Sequence, residues 1–386
     1  MIMFVGDTGW VQSATALARD RSIHLTRASA HKRATSATRV LSDSRLAEIA
    51  AQAQATCKSE GAVVGMRLAD GTEHLAADGR FAPGVPITTN SQCFDGSVTK
   101  LYVAALALQL VDKGKLHLDD HVERYLPNWP RGNGITVGML LSHRSGMGDF
   151  ANDFGNDLRT LILADPSRVF SYDEVLRLVA ARPAIAEPGV EYHYTNADFI
   201  VLGAIIQKIT HTTLGRTMRT RIFTPLGLHH TIYGPDQLAA LAAVTFHGLF
   251  DVTGTGTPVD IGGYPRAAAF TIDPAGAGIV TTAPDTLTFI HALYGTNRLL
   301  RKASRDFLAD HTSTVANRDL LLDKPFDIRG HGGVSPGAQT IAAYDWHSRA
   351  SVVAWCNRVD LGDSELLASV LAANKVFELV KAHSTR

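Results

Sequence analysis

The chain has 386 residues, 45% hydrophobic and 19% charged, a balance that excludes a disordered or collagen-like polymer and allows two or three domains. Lys+Arg and Asp+Glu each number 37, so the formal charge is zero and the basic face that nucleic acids demand is not indicated. Cys57, Cys93 and Cys356 are too few and too scattered for a disulfide framework or a zinc cluster, and read as buried thiols.

Residues 1–40 read as a flexible or non-domain arm. Met1 to Val5 is apolar, but Asp7, Gly9 and Trp10 interrupt it before a secretory core forms. Residues 11–40 are rich in Arg, Ser, Thr and Ala, which also suits a transit peptide. An arm is favoured, and with it a cytoplasmic location; a misassigned N-terminus would reopen a periplasmic or secreted one. No run approaches the roughly 20 apolar residues of a membrane span.

Regular structure is expected from about Leu41. Over Ser44 to Thr56 the residues Leu46, Ile49, Ala50 and Ala53 share one helical face. Gly61 to Leu68 is apolar and β-branched, and the Asp70-Gly71 turn makes His74 to Ala77 its hairpin partner. Phe81 to Thr89 reads as a Pro/Gly-rich loop. Ser97 to Asp112 is apolar on nearly all sides, the mark of a helix buried mid-protein, with Gly114 as its stop.

From Leu116 to about Ile261 the pattern is mainly helices and loops, with helices at Ser171 to Ala181, Ala197 to Thr210 and Leu214 to Ile222, the last closed by Thr224-Pro225. Strands return at Gln339 to Tyr344 and Ala350 to Cys356, and Glu365 to Ala382 has helical spacing. Strands and helices at both ends imply one sheet assembled from the two termini. Residues 41–115 and 262–386 would form this α/β sheet domain, and 116–261 a mainly helical inserted lobe. Ligands favour the cleft between such lobes.

The chemistry concentrates in Ser97-Val98-Thr99-Lys100. Residues three apart share a helix face, so Ser97 Oγ and Lys100 Nζ can meet. An alcohol needs a base to become a nucleophile, and a lysine serves once burial lowers its pKa. The pattern alone is weak, because Ser29-Ala30-His31-Lys32 repeats it in the basic arm, where no apolar helix stands behind it and the lysine would be solvated. Tyr194-Thr195-Asn196 is the only Tyr-x-Asn and leads into a helix; Tyr194 could relay a proton and Asn196 orient Lys100 or substrate. His331-Gly332-Gly333 is the only His-x-Gly, where paired glycines permit close approach and the Val334 N–H could complete an oxyanion hole. Taken singly, each of these two is equally an ordinary turn.

In that order the three elements resemble the serine β-lactamase superfamily, in particular its class C-like branch, which includes D-alanyl-D-alanine carboxypeptidases, D-amino-acid amidases and esterases. The likeness extends through Phe94 to Leu126, Ile135 to Gly146, Tyr194 to Leu228 and Gly276 to Leu293, covering roughly residues 43–384. It implies an α/β (α+β) fold of β-lactamase/transpeptidase type, an antiparallel sheet with terminal helices and an inserted helical lobe. It also implies Ser97 as acylated nucleophile, Lys100 and Tyr194 as acid/base groups, and Asn196, His331 and Gly333 as positioning residues. The N–H groups of Ser97 and Val334 would form the oxyanion hole. Penicillin-recognising members carry Lys-Thr-Gly where this chain has His331-Gly332-Gly333, so a fixed cation for a substrate carboxylate is missing, unless Arg329 replaces it.

The expected activity is hydrolysis of carboxylic esters or small amides through an acyl-enzyme. A D-alanyl peptidase or D-amino-acid amidase ranks second, a β-lactamase third, and a silent binding or sensor module is the non-enzymatic alternative. No nucleotide or metal cofactor is implied: His229-His230 lacks partners at ligand spacing, and no Walker lysine is present. His143 is expected to pack or cap. Gly333-Val334-Ser335-Pro336-Gly337 spells a nucleophile elbow, but Pro336 has no N–H to offer an oxyanion.

Overall fold

A computed structural model describes residues 43–132, 134–149, 157–243, 247–250, 257–262, 265–312, 315–316, 322, 325–359 and 367–384. The N-terminal arm at 1–40, with its Ser29–Lys32 motif, lies outside the described residues.

Helix α1 (Asp43–Cys57) buries Leu46, Ile49, Ala50 and Ala53, the face its spacing implied. It leads into the hairpin β1 (Gly61–Arg67) and β2 (Glu73–Ala82). The stretch expected as a loop from Phe81 is partly strand: β2 continues to Ala82, and β3 (Val85–Pro86) folds back onto it across a register shift. A proline is tolerated at this sheet edge because no further strand needs its N–H.

Strand β4 (Cys93–Phe94) runs into a 3-10 turn, Gly96–Val98, and then α2 (Thr99–Asp112), whose residues Thr99 to Leu110 are all buried. Helices α3 (Val137–Leu141), α4 (Asp157–Ala164), α5 (Tyr172–Ala180) and α6 (Asn196–Thr210) follow. The helical run beginning at Leu214 does not close before Thr224-Pro225. It passes through a π turn at Arg219–Phe223 to Leu226 and stops at Gly227, φ +71°. Pro225 opens the final turn, where a missing N–H costs nothing.

Short strands that sequence patterning missed, β5 (Ile232–Tyr233), β6 (Leu249–Phe250) and β7 (Val259–Asp260), interrupt the helical stretch. Two residues are too few to show a period. Strand β8 (Ile279–Thr281) lies between β4 and β5, and α7 (Ala283–Tyr294) follows it. Beyond β9 (Val315–Ala316) come β10 (Ile328–Ser335), β11 (Ala338–Asp345), β12 (Ala350–Cys356), β13 (Arg358–Val359) and α8 (Leu367–Ser384).

The main sheet has seven strands ordered β3-β2-β1-β12-β11-β10-β9, antiparallel throughout. Both ends of the chain therefore build one sheet. Side chains alternate between its faces. Val64, Met66, Ile341, Val352 and Ala354 pack with α1 and α8, whereas Val63, Val353 and Trp355 pack with Leu287 of α7 on the opposite face. Fully burying each such valine or leucine contributes about 1.5–3 kcal/mol. In β10, Ile328 and Val334 belong to the terminal-helix face. By alternation His331 points the other way, towards α2 and Ser97. Among the described residues no helix is long and apolar enough to cross a membrane.

Candidate active site

Ser97 sits in the 3-10 turn that opens α2, 6% exposed, and Lys100 lies one turn on, fully buried. Gly96 takes φ +52°, and a Cβ there would come within 2.6 Å of the Val334 amide nitrogen. A Cβ on Gly333 would collide with the Asp95 carbonyl oxygen and sit 3.2 Å from Ser97 N. The serine turn and β10 thus touch backbone to backbone, which brings the Ser97 and Val334 segments together and requires glycine at both positions. The His331-Gly332-Gly333 segment is the interior of an eight-residue strand, not a turn before one.

Lys100 Nζ donates to Ser97 Oγ at 3.1 Å, to Asn196 Oδ1 at 2.6 Å and to the Gly276 carbonyl at 3.2 Å. Burial lowers its pKa from 10.5 to about 8, against the opposing pull of Asp273, Asp149 and Asp198. A substantial neutral fraction therefore exists near neutral pH, and a neutral amine can take the serine proton.

Asn196 opens α6, with Thr195 as N-cap accepting from Ala197 N at 3.1 Å. Its Nδ2 and backbone N–H both donate to Asp149 Oδ2, at 3.0 and 3.2 Å, so Oδ1 is turned to Lys100. Burial holds the Tyr194 phenol well above its usual pKa, against a smaller lowering from the nearby Ser97. The hydroxyl stays protonated and can donate.

His143 packs beneath, its ring 4.5 Å from that of Tyr194, and its Nδ1 accepts from Thr195 N–H at 3.3 Å. It packs and caps, as expected of it.

His331 is fully buried, and its Nδ1 lies 2.5 Å from the Gly332 carbonyl. A carbonyl only accepts, so Nδ1 carries the proton and Nε2 a bare lone pair. Burial, then the Lys100 charge, depresses its pKa to about 3, so the ring is neutral. Nε2 has no hydrogen-bond partner among the described residues. Arg329 does not supply the missing cation: its guanidinium pairs with Asp327 at 2.8 Å and lies 3.9 Å from Asp310.

Sequence patterning did not single out Asp149, Asp198, Asp273 or the Gly276 carbonyl. Single aspartates carry no motif, and a carbonyl carries no side-chain signal at all. Asp95 is 1% exposed, Oδ2 is unpartnered among the described residues, and burial raises its pKa to about 8. Cys93 is buried against Thr340 Oγ1 at 3.3 Å, with its pKa pushed well up by burial, an inert thiol. No group of three His, Cys, Asp or Glu able to hold a metal occurs among the described residues.

A serine at a buried helix start, bonded to a buried lysine that lies 5.1 Å from a tyrosine ring, beside an antiparallel sheet with terminal helices, defines an active-site serine hydrolase of β-lactamase/transpeptidase fold. Residues 46–375 match the Beta-lactamase family model, and the chain belongs to that family. It is 33% identical over 204 residues to penicillin-binding protein 4 of Amycolatopsis lactamdurans, covering 49% of this chain and 50% of that protein. The chain thus matches about half the length of this relative. Among solved structures, the D-amino acid amidase of Ochrobactrum anthropi SV3 in complex with L-phenylalanine amide superposes with TM-score 0.75 at 21% identity, covering 89% of this chain and 99% of that one. EstCE1, described as a hydrolase with promiscuous acyltransferase activity, gives 0.64 at 22%, covering 86% and 98%.

Proposed function

We propose that this chain hydrolyses uncharged carboxylic esters or small amides through an acyl-enzyme on Ser97. The observation that carries this reading is the 3.1 Å contact between Lys100 Nζ and Ser97 Oγ within a fully buried, acid-lined setting. Lys100 takes the hydroxyl proton as Oγ attacks the carbonyl carbon. The Ser97 and Val334 amides receive the oxyanion, and Gly333 permits their approach. Tyr194 gives its proton to the departing oxygen or nitrogen. Water then attacks the acyl-serine, and the proton returns to the lysine–tyrosine pair. Asn196 holds Lys100, and His331 shapes the wall that β10 presents. The cleft would lie between the sheet domain, residues 41–115 and 262–386, and the lobe at 116–261.

Restriction to uncharged groups rests on His331 and on the acids around Lys100. A substrate carboxylate at β10 would meet a lone pair rather than a cation, and charges left unpaired in a buried site are costly. The second reading, a D-amino-acid amidase or D-alanyl peptidase, is supported by the amidase fold and the penicillin-binding relative. A β-lactamase ranks below both.

Intact-mass labelling with an acyl-forming probe, alongside p-nitrophenyl esters, D-alanyl peptides and nitrocefin, tests the proposal. The adduct should map to Ser97 and be lost in Ser97→Ala. Wild-type turnover by Ser97→Ala would sink the mechanism, and preference for carboxylate-bearing peptides would sink the restriction.

A further inference from the structure

Six large apolar side chains are exposed among the described residues, and three of them, Ile185 at 40%, Val190 at 67% and Tyr192 at 48%, fall within one short segment, 185–192. Isolated exposed apolar residues are ordinary, but several on one loop mark a contact surface.

This segment is firmly held. Ile185 and Ala186 N–H donate to the Gly146 carbonyl at 3.0 and 3.3 Å, Gly189 N–H to Arg144 O at 2.8 Å and His193 N–H to His143 O at 2.8 Å. The Arg144 guanidinium returns bonds to the Gly189 and Val190 carbonyls at 3.2 and 3.1 Å, and Arg131 holds the Ala186 carbonyl and the Glu187 carboxylate at 2.9 and 2.5 Å. Gly146 has φ +72°, and a Cβ there would collide with Ala186 O, so the two backbones fit without clearance. Pro183 and Pro188 stiffen the loop further. The backbone of the segment that carries all three apolar residues is therefore pinned to the short stretch 143–146.

That stretch adjoins the reacting groups. The Tyr192 ring meets His143 edge-on at 5.9 Å, and His143 lies 4.5 Å from the Tyr194 ring. The rim thus continues from the phenol that, on the function proposed above, protonates the leaving atom.

We infer that Ile185, Val190 and Tyr192 form a preorganised apolar rim that binds the leaving-group side of the substrate, selecting esters or amides of apolar alcohols or amines. This rests on the acyl-enzyme reading, in which Tyr194 faces the leaving group. Because the loop is already ordered, contact with an alkyl or aryl leaving group removes apolar surface from water at little conformational cost.

The test compares kcat/KM for methyl, butyl and hexyl acetate with that for methyl acetate, butyrate and octanoate, in wild type and in Ile185→Ser, Val190→Ser and Tyr192→Ser. Wild-type kcat/KM should climb with the length of the alcohol. Each variant should lose about three- to tenfold on hexyl acetate while methyl acetate turnover and Tm stay unchanged. Equal losses on methyl and hexyl acetate, losses that follow the acyl series, or no losses overturn the rim. Absence of any acyl-enzyme on Ser97 overturns instead the hydrolase reading beneath it.

Discussion

Lys100 Nζ lies 2.6 Å from Asn196 Oδ1, closer than the 3.1 Å that separates it from Ser97 Oγ. The amide is itself fixed, because Nδ2 donates to Asp149 at 3.0 Å and leaves Oδ1 no other orientation. A chain of two hydrogen bonds, from Asp149 through Asn196, therefore aims the lysine at the serine. Asn196→Ala should lower the acylation rate about 100-fold, in the range for losing a positioned acid–base group. Asn196→Asp places a carboxylate against Nζ, so the pH at which Lys100 becomes active should rise. An unmoved pH profile in Asn196→Asp would mean that Oδ1 does not control the lysine.

On the proposed mechanism the same lysine sets the pH dependence of acylation. Its base form is the neutral amine, and burial brings its pKa to about 8. Single-turnover acylation should rise with pH through the neutral range and level off above about 8. Asp273, Asp149 and Asp198 pull that pKa upward. Removing one charge with Asp273→Asn should therefore move the midpoint down. Stopped-flow acylation across pH 6–10 measures both, and a midpoint that rises in Asp273→Asn contradicts the assigned charges.

Asp95 makes an opposite kind of prediction, about stability. Burial raises its pKa from 3.8 to about 8. Between those values the unfolded chain gives up the proton while the folded chain keeps it. Its contribution to stability therefore falls as pH rises through that window, and the full cost is present above about 8. Well below 3.8 both states are protonated and no cost remains. Asp95→Asn is neutral at every pH, so it should match wild type at about pH 2.8 and exceed it by on the order of 2–4 kcal/mol at pH 8. Denaturant unfolding at the two pH values decides it; an equal difference at both would show that ionisation of Asp95 is not the cause.

Much of the sheet and its terminal helices was legible because long elements carry patterns: the unbroken apolar run from Gly61 marks a strand buried on both faces, and the Leu46, Ile49, Ala53 stripe declares the buried face of a helix. Ser97 was legible because its motif opens an apolar run, whereas the sequence after Ser29 is polar and basic. What lay hidden was decided by partners far along the chain. Thr224-Pro225 looked like a stop until a π turn made its missing N–H harmless. The two-residue strands β5 to β7 exist through pairing alone. Asp149 sits 47 residues from Asn196, and no spacing rule links them. The His331 tautomer depends on a single carbonyl contact.

That tautomer leads to the last prediction. With Nδ1 bound to the Gly332 carbonyl and the ring neutral, β10 presents a lone pair where related enzymes place an ammonium. Arg329 is already paired with Asp327 and does not compensate. His331→Lys adds a donor and a charge on the same strand face. Substrates bearing a carboxylate beside the scissile bond should gain relative to neutral esters, by about tenfold or more in the ratio of kcat/KM values, as expected for one charge-assisted hydrogen bond worth about 1.5–3 kcal/mol. His331→Gln retains an uncharged acceptor and should leave the ratio near wild type. A gain in His331→Gln equal to that in His331→Lys would show that volume, not charge, governs this position.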